Sequence, residues 1–210
     1  MPFGDRDLEY LEQVHAPLDA VLAEMLKRGR EDGIPIVSHA SGRLLRVLVL
    51  AVAPKRVLEI GTAIGFSALW MASALPADGR IDTIDPDRAR TDRARRYWIK
   101  AGMSDRIRVT NEPALRVIPR LAPGIEFAFI DALKTEYSAY LDALLPKMAP
   151  GGVIAVDNVL WSGRIAAGEH DEETDALRAF NSRFLHDEQL EATIVPVGDG
   201  LGIGVVRPHA

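Results

Sequence analysis

VLEIGTAIGFS, residues 57–67, is an apolar run that halts at a glycine and resumes with helix-forming residues. A buried strand, a tight turn and a helix in that order make the first half of a βαβ unit. In an open α/β sheet, ligands bind beyond the carboxyl ends of the strands, near the point where strand order reverses. The stretch therefore predicts both the fold class and the place to look for a site.

The flanking sequence repeats the pattern. RIDTID (80–85) reads as a second strand and DRARTDRARRYWIKAG (87–102) as the helix after it, ending at Gly102. IRVTNE (107–112), IEFAFID (125–131) and GGVIAVDN (151–158) read as three more strands. Strands separated by helical stretches imply a mainly parallel sheet with helices on both faces. LEATIVPVG (190–198) and LGIGVVRP (201–208) flank Asp199-Gly200, a hairpin signal that adds an antiparallel strand. Upstream, residues 5–30 read as one helix, with Leu8, Leu11, Val14, Leu18, Val21, Leu22, Met25 and Leu26 at helical spacing. Pro35 interrupts the helical pattern, and residues 38–53 read as a second helix capped by Ser38 or Ser41. The expectation is one domain over 1–210, with a helical extension (1–53) and an α/β core (54–210).

Composition narrows the function. The 210 residues contain no cysteine, which excludes disulfides and thiolate metal sites. A net charge of −5 argues against a protein held to nucleic acid by phosphate contacts, although Arg88, Arg90, Arg93, Arg95 and Arg96 form a local basic cluster. The charged opening, MPFGDRDLEY, is unlike a signal peptide, and no apolar run is long enough for a membrane span. The default expectation is a cytoplasmic protein.

The glycine turn excludes one ligand. A phosphate loop requires GxxxxGK[ST], and no lysine follows Gly65. A nicotinamide fingerprint, GxGxxG, lacks its second and third glycines, because Ala63 stands between Gly61 and Gly65. S-Adenosylmethionine has a ribose but no pyrophosphate, so it needs fewer glycines. Asp85 ends the next strand, where a carboxylate can accept from both ribose hydroxyls, and Glu59 places negative charge near a sulfonium and an ammonium. Solvated strand ends would look the same, and the turn alone leaves the nicotinamide and adenosyl readings open.

Two further strand ends are rich in oxygen. Asp131 in FIDALK (129–134) and Asp157 with Asn158 in AVDNVLW (155–161) would meet at one rim if their strands are neighbours. Two carboxylates and an amide oxygen are hard ligands suited to Mg²⁺ or Ca²⁺. Lys134 would stand beside such a dication, which favours its neutral amine and a role as general base. Helix capping by the aspartates and a surface lysine are the competing reading.

LEIGTAIGFSAL (58–69), IDTIDPD (81–87), FAFIDALKTEY (127–137), GGVIAVDNVLWSG (151–163) and VPVGDGLGI (195–203) together resemble the cation-dependent O-methyltransferases. That family includes catechol and caffeoyl-CoA O-methyltransferases and bacterial relatives. The resemblance runs from about Ile34 to the C-terminus. It implies a Rossmann-like class I methyltransferase with a seven-stranded sheet whose last strand is antiparallel. It further implies that Glu59, Gly61, Thr62 and Ser67 line the methionine end of S-adenosylmethionine and that Asp85 binds its ribose. Ala114 would sit by the adenine, and Val37 would touch the cofactor through its backbone. Asp131, Asp157 and Asn158 would hold Mg²⁺ or Ca²⁺, with Asp131 also near the cofactor and Lys134 as base. Leu133, Glu112 and Ser162 depart from residues usual in parts of the family.

The expected acceptor is a hydroxylated small molecule of catechol type. A hydroxylated uridine in tRNA is the alternative with the same chemistry; a non-catalytic S-adenosylmethionine-binding protein is the alternative without it. A nicotinamide dehydrogenase is the remaining enzyme alternative, and the missing GxGxxG together with the absence of a YxxxK pair from this sequence argues against it. Trp161 and Ser162 are candidate substrate contacts, whereas Trp70 reads as core. His15 and His39 belong to no ligand cluster. The polar stretch 162–177 reads as a flexible cover over the site. A broad apolar stripe on the first helix, with the habit of bacterial relatives, predicts a homodimer.

Overall fold

The computed structural model describes residues 4–208. The side chains of Asp5 and Leu8 lie outside the described residues. Two helices, α1 (Asp5–Val14) and α2 (Ala20–Glu31), replace the single helix expected over residues 5–30. Pro17 disfavours helix at Ala16 and brings no N–H of its own. Asp19 then restarts the helix, its Oδ1 accepting from the N–H groups of Val21 and Leu22 at 2.9 and 3.0 Å. Helix α3 (His39–Val52) is capped by Ser38, whose Oγ accepts from Ser41 N–H at 2.9 Å.

The alternating pattern follows: β1 (Arg56–Ile60), α4 (Phe66–Ala72), β2 (Arg80–Ile84), α5 (Arg88–Lys100) and β3 (Ile107–Thr110). Then come α6 (Ala114–Val117), β4 (Ile125–Ile130), α7 (Tyr137–Leu144), β5 (Met148–Val156), α8 (Glu172–His186), β6 (Leu190–Val195) and β7 (Leu201–Val206). The seven strands form one sheet in the order β3-β2-β1-β4-β5-β7-β6. β7 runs antiparallel to both β5 and β6, and the remaining neighbours pair in parallel. The order reverses between β1 and β4, so the carboxyl ends of these two strands mark the switch point.

Side-chain alternation along β4 explains why both faces are covered. Phe127 and Phe129 pack with Met25, Leu45, Phe66 and Trp98 on one face. Ala128 and Ile130 pack with Tyr137, Leu141, Phe180 and Phe184 on the other. Helices α2 and α3 contact α4, so the N-terminal helices complete the first of these layers. Tyr10, Leu11 and Val14 of α1 remain exposed in the single chain. Among the described residues, no helix is long and apolar enough to cross a membrane.

Candidate active site

A cleft of about 710 Å³ opens at the switch point. Its wall contains Val37, Gly61, Thr62, Ser67, Asp85, Ala114, Asp131, Lys134, Asp157, Asn158 and Trp161. Sequence positions spread over 125 residues thus meet in one cavity because β1, β2, β4 and β5 are neighbours with their carboxyl ends aligned. Glu59 and Ser162, also expected at the site, are not part of this wall.

The two glycines of the first turn also make room for protein neighbours. A Cβ on Gly61, which has φ +100°, would lie 1.8 Å from the carbonyl oxygen of Asp131. A Cβ on Gly65, φ +82°, would meet the indole of Trp98 at 2.5 Å. Protein neighbours alone thus leave no room for a Cβ at either position, and Gly61 also lines the cleft. Trp98 also donates from Nε1 to Gly65 O at 3.1 Å, fixing the turn from behind.

Asp85 lies at the cleft with both carboxylate oxygens engaged. Oδ2 accepts from Ala63 N–H and Oδ1 from Asp87 N–H, each at 2.8 Å. Each oxygen retains a second lone pair for a ligand hydroxyl. Glu59 corrects an expectation: it is fully buried behind the wall. Ser67 Oγ donates to its Oε1 at 2.6 Å and Thr83 Oγ1 to its Oε2 at 2.5 Å. Burial outweighs these bonds and, with Asp131 and Asp85 nearby, pushes its carboxyl up to about 8. Glu59 therefore orders Ser67 and Thr83 from below; the wall itself is formed by Ser67 and Thr62.

At the other end, the expected oxygen cluster is assembled around an ammonium. Lys134, buried on a single 3₁₀ turn after β4, donates to Asp131 Oδ1 at 2.8 Å, Asn158 Oδ1 at 2.6 Å and Tyr137 Oη at 2.8 Å. Tyr137 in turn donates to Asp157 O at 3.1 Å. Asp157 is almost fully buried, and its Oδ1 has no hydrogen-bond partner among the described residues. Burial first, then the charge of Asp131, pushes the Asp157 carboxyl up to about 7. Among the described residues, no group of three or more carboxylate, imidazole or thiol side chains is arranged to hold a metal. The candidate set reaches three only through the amide oxygen of Asn158.

The sequence did not single out Tyr137, Trp98 or Asp199. Asp199 reads only as part of a hairpin turn. Trp161 stands over Lys134, its ring 5.8 Å from Nζ. Ser162 lies off the cleft, its N–H donating to Asp199 Oδ1. Trp70 is buried against α3 as expected of a core residue. His39 stacks on Trp70 at 5.8 Å and accepts from Arg43 Nε at 2.9 Å. The stretch 162–177 differs from a plain flexible cover, because its second part is the start of α8. Arg164 joins it to that helix by bonding Glu169 and the N-cap Asp171. Leu133 is exposed at the cleft's edge, and Glu112 is engaged by Arg120 at 2.7 Å.

A family model described as O-methyltransferase matches residues 13–207. A catechol O-methyltransferase of Mycobacterium tuberculosis is 35% identical over 197 residues, covering 90% of this chain and 90% of that protein. A caffeoyl-CoA O-methyltransferase of Populus kitakamiensis is 35% identical over 172 residues, covering 76% of this chain and 73% of that protein. Among solved structures, an O-methyltransferase from Bacillus cereus in complex with SAH superposes with a TM-score of 0.85 at 30% identity, covering 95% of this chain and 96% of that one. TomG from Streptomyces achromogenes, an O-methyltransferase of tomaymycin synthesis in complex with SAM, gives 0.85 at 29% identity, covering 95% of each chain. With a family model matching residues 13–207 and a relative 35% identical over 90% of both chains, the chain belongs to the O-methyltransferase family.

Proposed function

We propose that the protein transfers a methyl group from S-adenosylmethionine to a hydroxyl of a catechol-like small molecule, with a divalent cation, Mg²⁺ or Ca²⁺, held beside the acceptor. The observation that carries this reading is the union, in one cleft, of Asp85 at one end and the Asp131–Lys134–Asn158–Asp157 cluster at the other. The cofactor-bound Bacillus and Streptomyces neighbours support the adenosyl assignment.

The residues fit a hard cation. Their oxygens already surround one positive charge, the Lys134 ammonium, and Asp157 Oδ1 stands buried and unpaired beside it. Such an orphaned carboxylate oxygen is costly unless a cation or proton satisfies it. Asp131, Asp157 and Asn158 would hold the cation, which when bound lowers the pKa of a hydroxyl ligated to it. Asp85 holds the ribose, while Val37, Ala114 and the Thr62–Ser67 wall orient the rest of the cofactor. Lys134 would take the acceptor's proton on its neutral amine, after releasing the proton with which its Nζ bonds Asp131 and Asn158 here. S-Adenosylmethionine, when bound, would supply the methyl group, which the freed oxygen would take as the C–S bond breaks with its electron pair left on sulfur. Trp161 shields the reacting atoms from water. The exposed apolar residues of α1 support a homodimer, which sedimentation tests.

The basic cluster gives little support to a tRNA acceptor. Arg88 and Arg95 flank Asp92 at 3.9 and 3.8 Å, Arg90 pairs with Asp87 at 3.3 Å, and Arg93 with Asp32 at 2.6 Å. Three aspartates thus offset part of the positive charge of the five arginines. The deciding experiment is transfer of labelled methyl from S-adenosylmethionine to a catechol panel and to unmodified tRNA, with Mg²⁺ or with EDTA. Label in a catechol, lost with EDTA, is expected. Label in tRNA moves the acceptor to RNA, and cofactor binding without transfer to either acceptor overturns the catalytic reading.

A further inference from the structure

The loop after β5 is held in an unusual shape by one side chain outside the cleft wall. Asn158, Trp161 and Ser162 have φ of +61°, +49° and +52°, a region that non-glycine residues seldom enter. The β6–β7 turn grips this loop at four points. Gly200 O accepts from Val159 N–H at 3.2 Å and Asp199 O from Leu160 N–H at 2.9 Å. Asp199 Oδ1 accepts from Ser162 N–H, and Asp199 Oδ2 accepts from Asn158 Nδ2 at 3.3 Å. Close packing locks the turn in place, because a Cβ on Gly200 would lie 2.4 Å from Leu160 Cγ.

The chemistry of this grip sets a direction. An ionised carboxylate can only accept hydrogen bonds, whereas a primary amide donates at one end and accepts at the other. Asp199 therefore draws the NH₂ of Asn158 toward itself and turns its oxygen into the cleft, where Lys134 Nζ meets it at 2.6 Å. The donor-only lysine and the acceptor-only aspartate fix the same amide orientation from opposite sides. The bond to Ser162 N–H also anchors the far end of the segment that carries Trp161 over Lys134.

We propose that Asp199 is a positioning residue for the methyl-transfer site: it presents the Asn158 oxygen to the cation set and holds the Trp161 loop in its strained form. This rests on the cation reading above. Asp199 is not part of the cleft wall; it acts through the amide it orients. Outer partners of this kind typically change metal affinity by about 10–100-fold when replaced.

The test is binding of Mn²⁺, a cation of similar oxygen preference, followed by its electron paramagnetic resonance signal. It is measured on the full chain with S-adenosylmethionine present. Asp199→Asn is nearly isosteric but has only one accepting atom for two donors. It is expected to weaken Mn²⁺ binding about 10–100-fold while cofactor affinity stays unchanged. Asp199→Glu keeps an acceptor-only group and is expected to regain most of the loss. If Asp199→Asn does not fold, Asp199→Ser takes its place in the same comparison. Wild-type Mn²⁺ affinity in Asp199→Asn overturns the inference, as does equal loss in the asparagine and glutamate variants, which marks a merely structural role. A wild-type chain that takes up no Mn²⁺ sinks the cation reading, and this inference with it.

Discussion

Lys134 Nζ and Asn158 Oδ1 stand 2.6 Å apart, although their residues come from different strand ends and 24 positions separate them. The same ammonium bonds Asp131 at 2.8 Å. Lys134 thus holds the candidate cation ligands together and occupies the place from which a proton would be removed. Lys134→Met should lower kcat by about 10²–10⁴-fold, the usual range for loss of general-base help, with cofactor affinity little changed. It should also weaken the fold, since Asp131 and Asn158 lose a buried partner. Steady-state kinetics beside calorimetric cofactor titration separate these effects, and an unchanged pH–rate profile would remove Lys134 from the proton path.

Asp157 offers a complementary test. Its Oδ1 is buried without a partner and its carboxyl is pushed up to about 7, mainly by burial. Asp157→Ala should abolish divalent-dependent turnover and the rise in Tm on adding Mg²⁺. The cation-free variant should stay close to the wild type in stability at pH 8, because the substitution removes an uncompensated buried charge. Full activity in this variant sinks the cation model.

Glu59 predicts a pH dependence of stability. Its folded carboxyl is raised from the ordinary 4.5 to about 8. Below 4.5 the carboxyl is protonated in both states and its contribution is fully present. As pH rises toward 8 the unfolded chain releases the proton while the folded chain retains it, so stability is lost; above 8 the loss is complete. Each unit of displacement is worth about 1.4 kcal/mol. Glu59→Gln should therefore gain in Tm relative to the wild type between pH 5 and 8. A difference that is flat with pH would show Glu59 ionised throughout.

Gly61→Ala should be severe. The added Cβ would fall 1.8 Å from Asp131 O, at a φ of +100° that disfavours alanine. Relief requires β1 and β4 to part where Asp131 enters the cleft. A loss of about 3 kcal/mol or more in chemical denaturation is expected, together with weakened cofactor binding. Near-wild-type values in both assays would mean that the strand ends yield more easily than their packing implies.

The chain's order of elements was legible because burial on both faces leaves strong marks: continuous apolar strands, period-3.6 helices and glycine punctuation. The cleft residues were legible for a related reason. In a parallel sheet, the residue just after each strand points to one rim, so Asp85, Asp131 and Asp157 could be assigned to it together. The break at Pro17 was visible in principle, but the apolar stripe continues across it and masked the stop. Local pattern also named Gly61 and Gly65 but not their reason, since Asp131 O and the Trp98 indole approach them from distant sequence.

The sheet class, the rim and the oxygen donors on it could be read directly, because each depends on residues close together in the chain. Folding alone seals Glu59 behind Ser67 and Thr83, joins Lys134 to Asp157 through Tyr137, and brings Asp199 against Asn158. The physical reason is that hydrogen-bond partners and burial depend on distances across strands and turns, and neither composition nor spacing encodes those distances for a single residue.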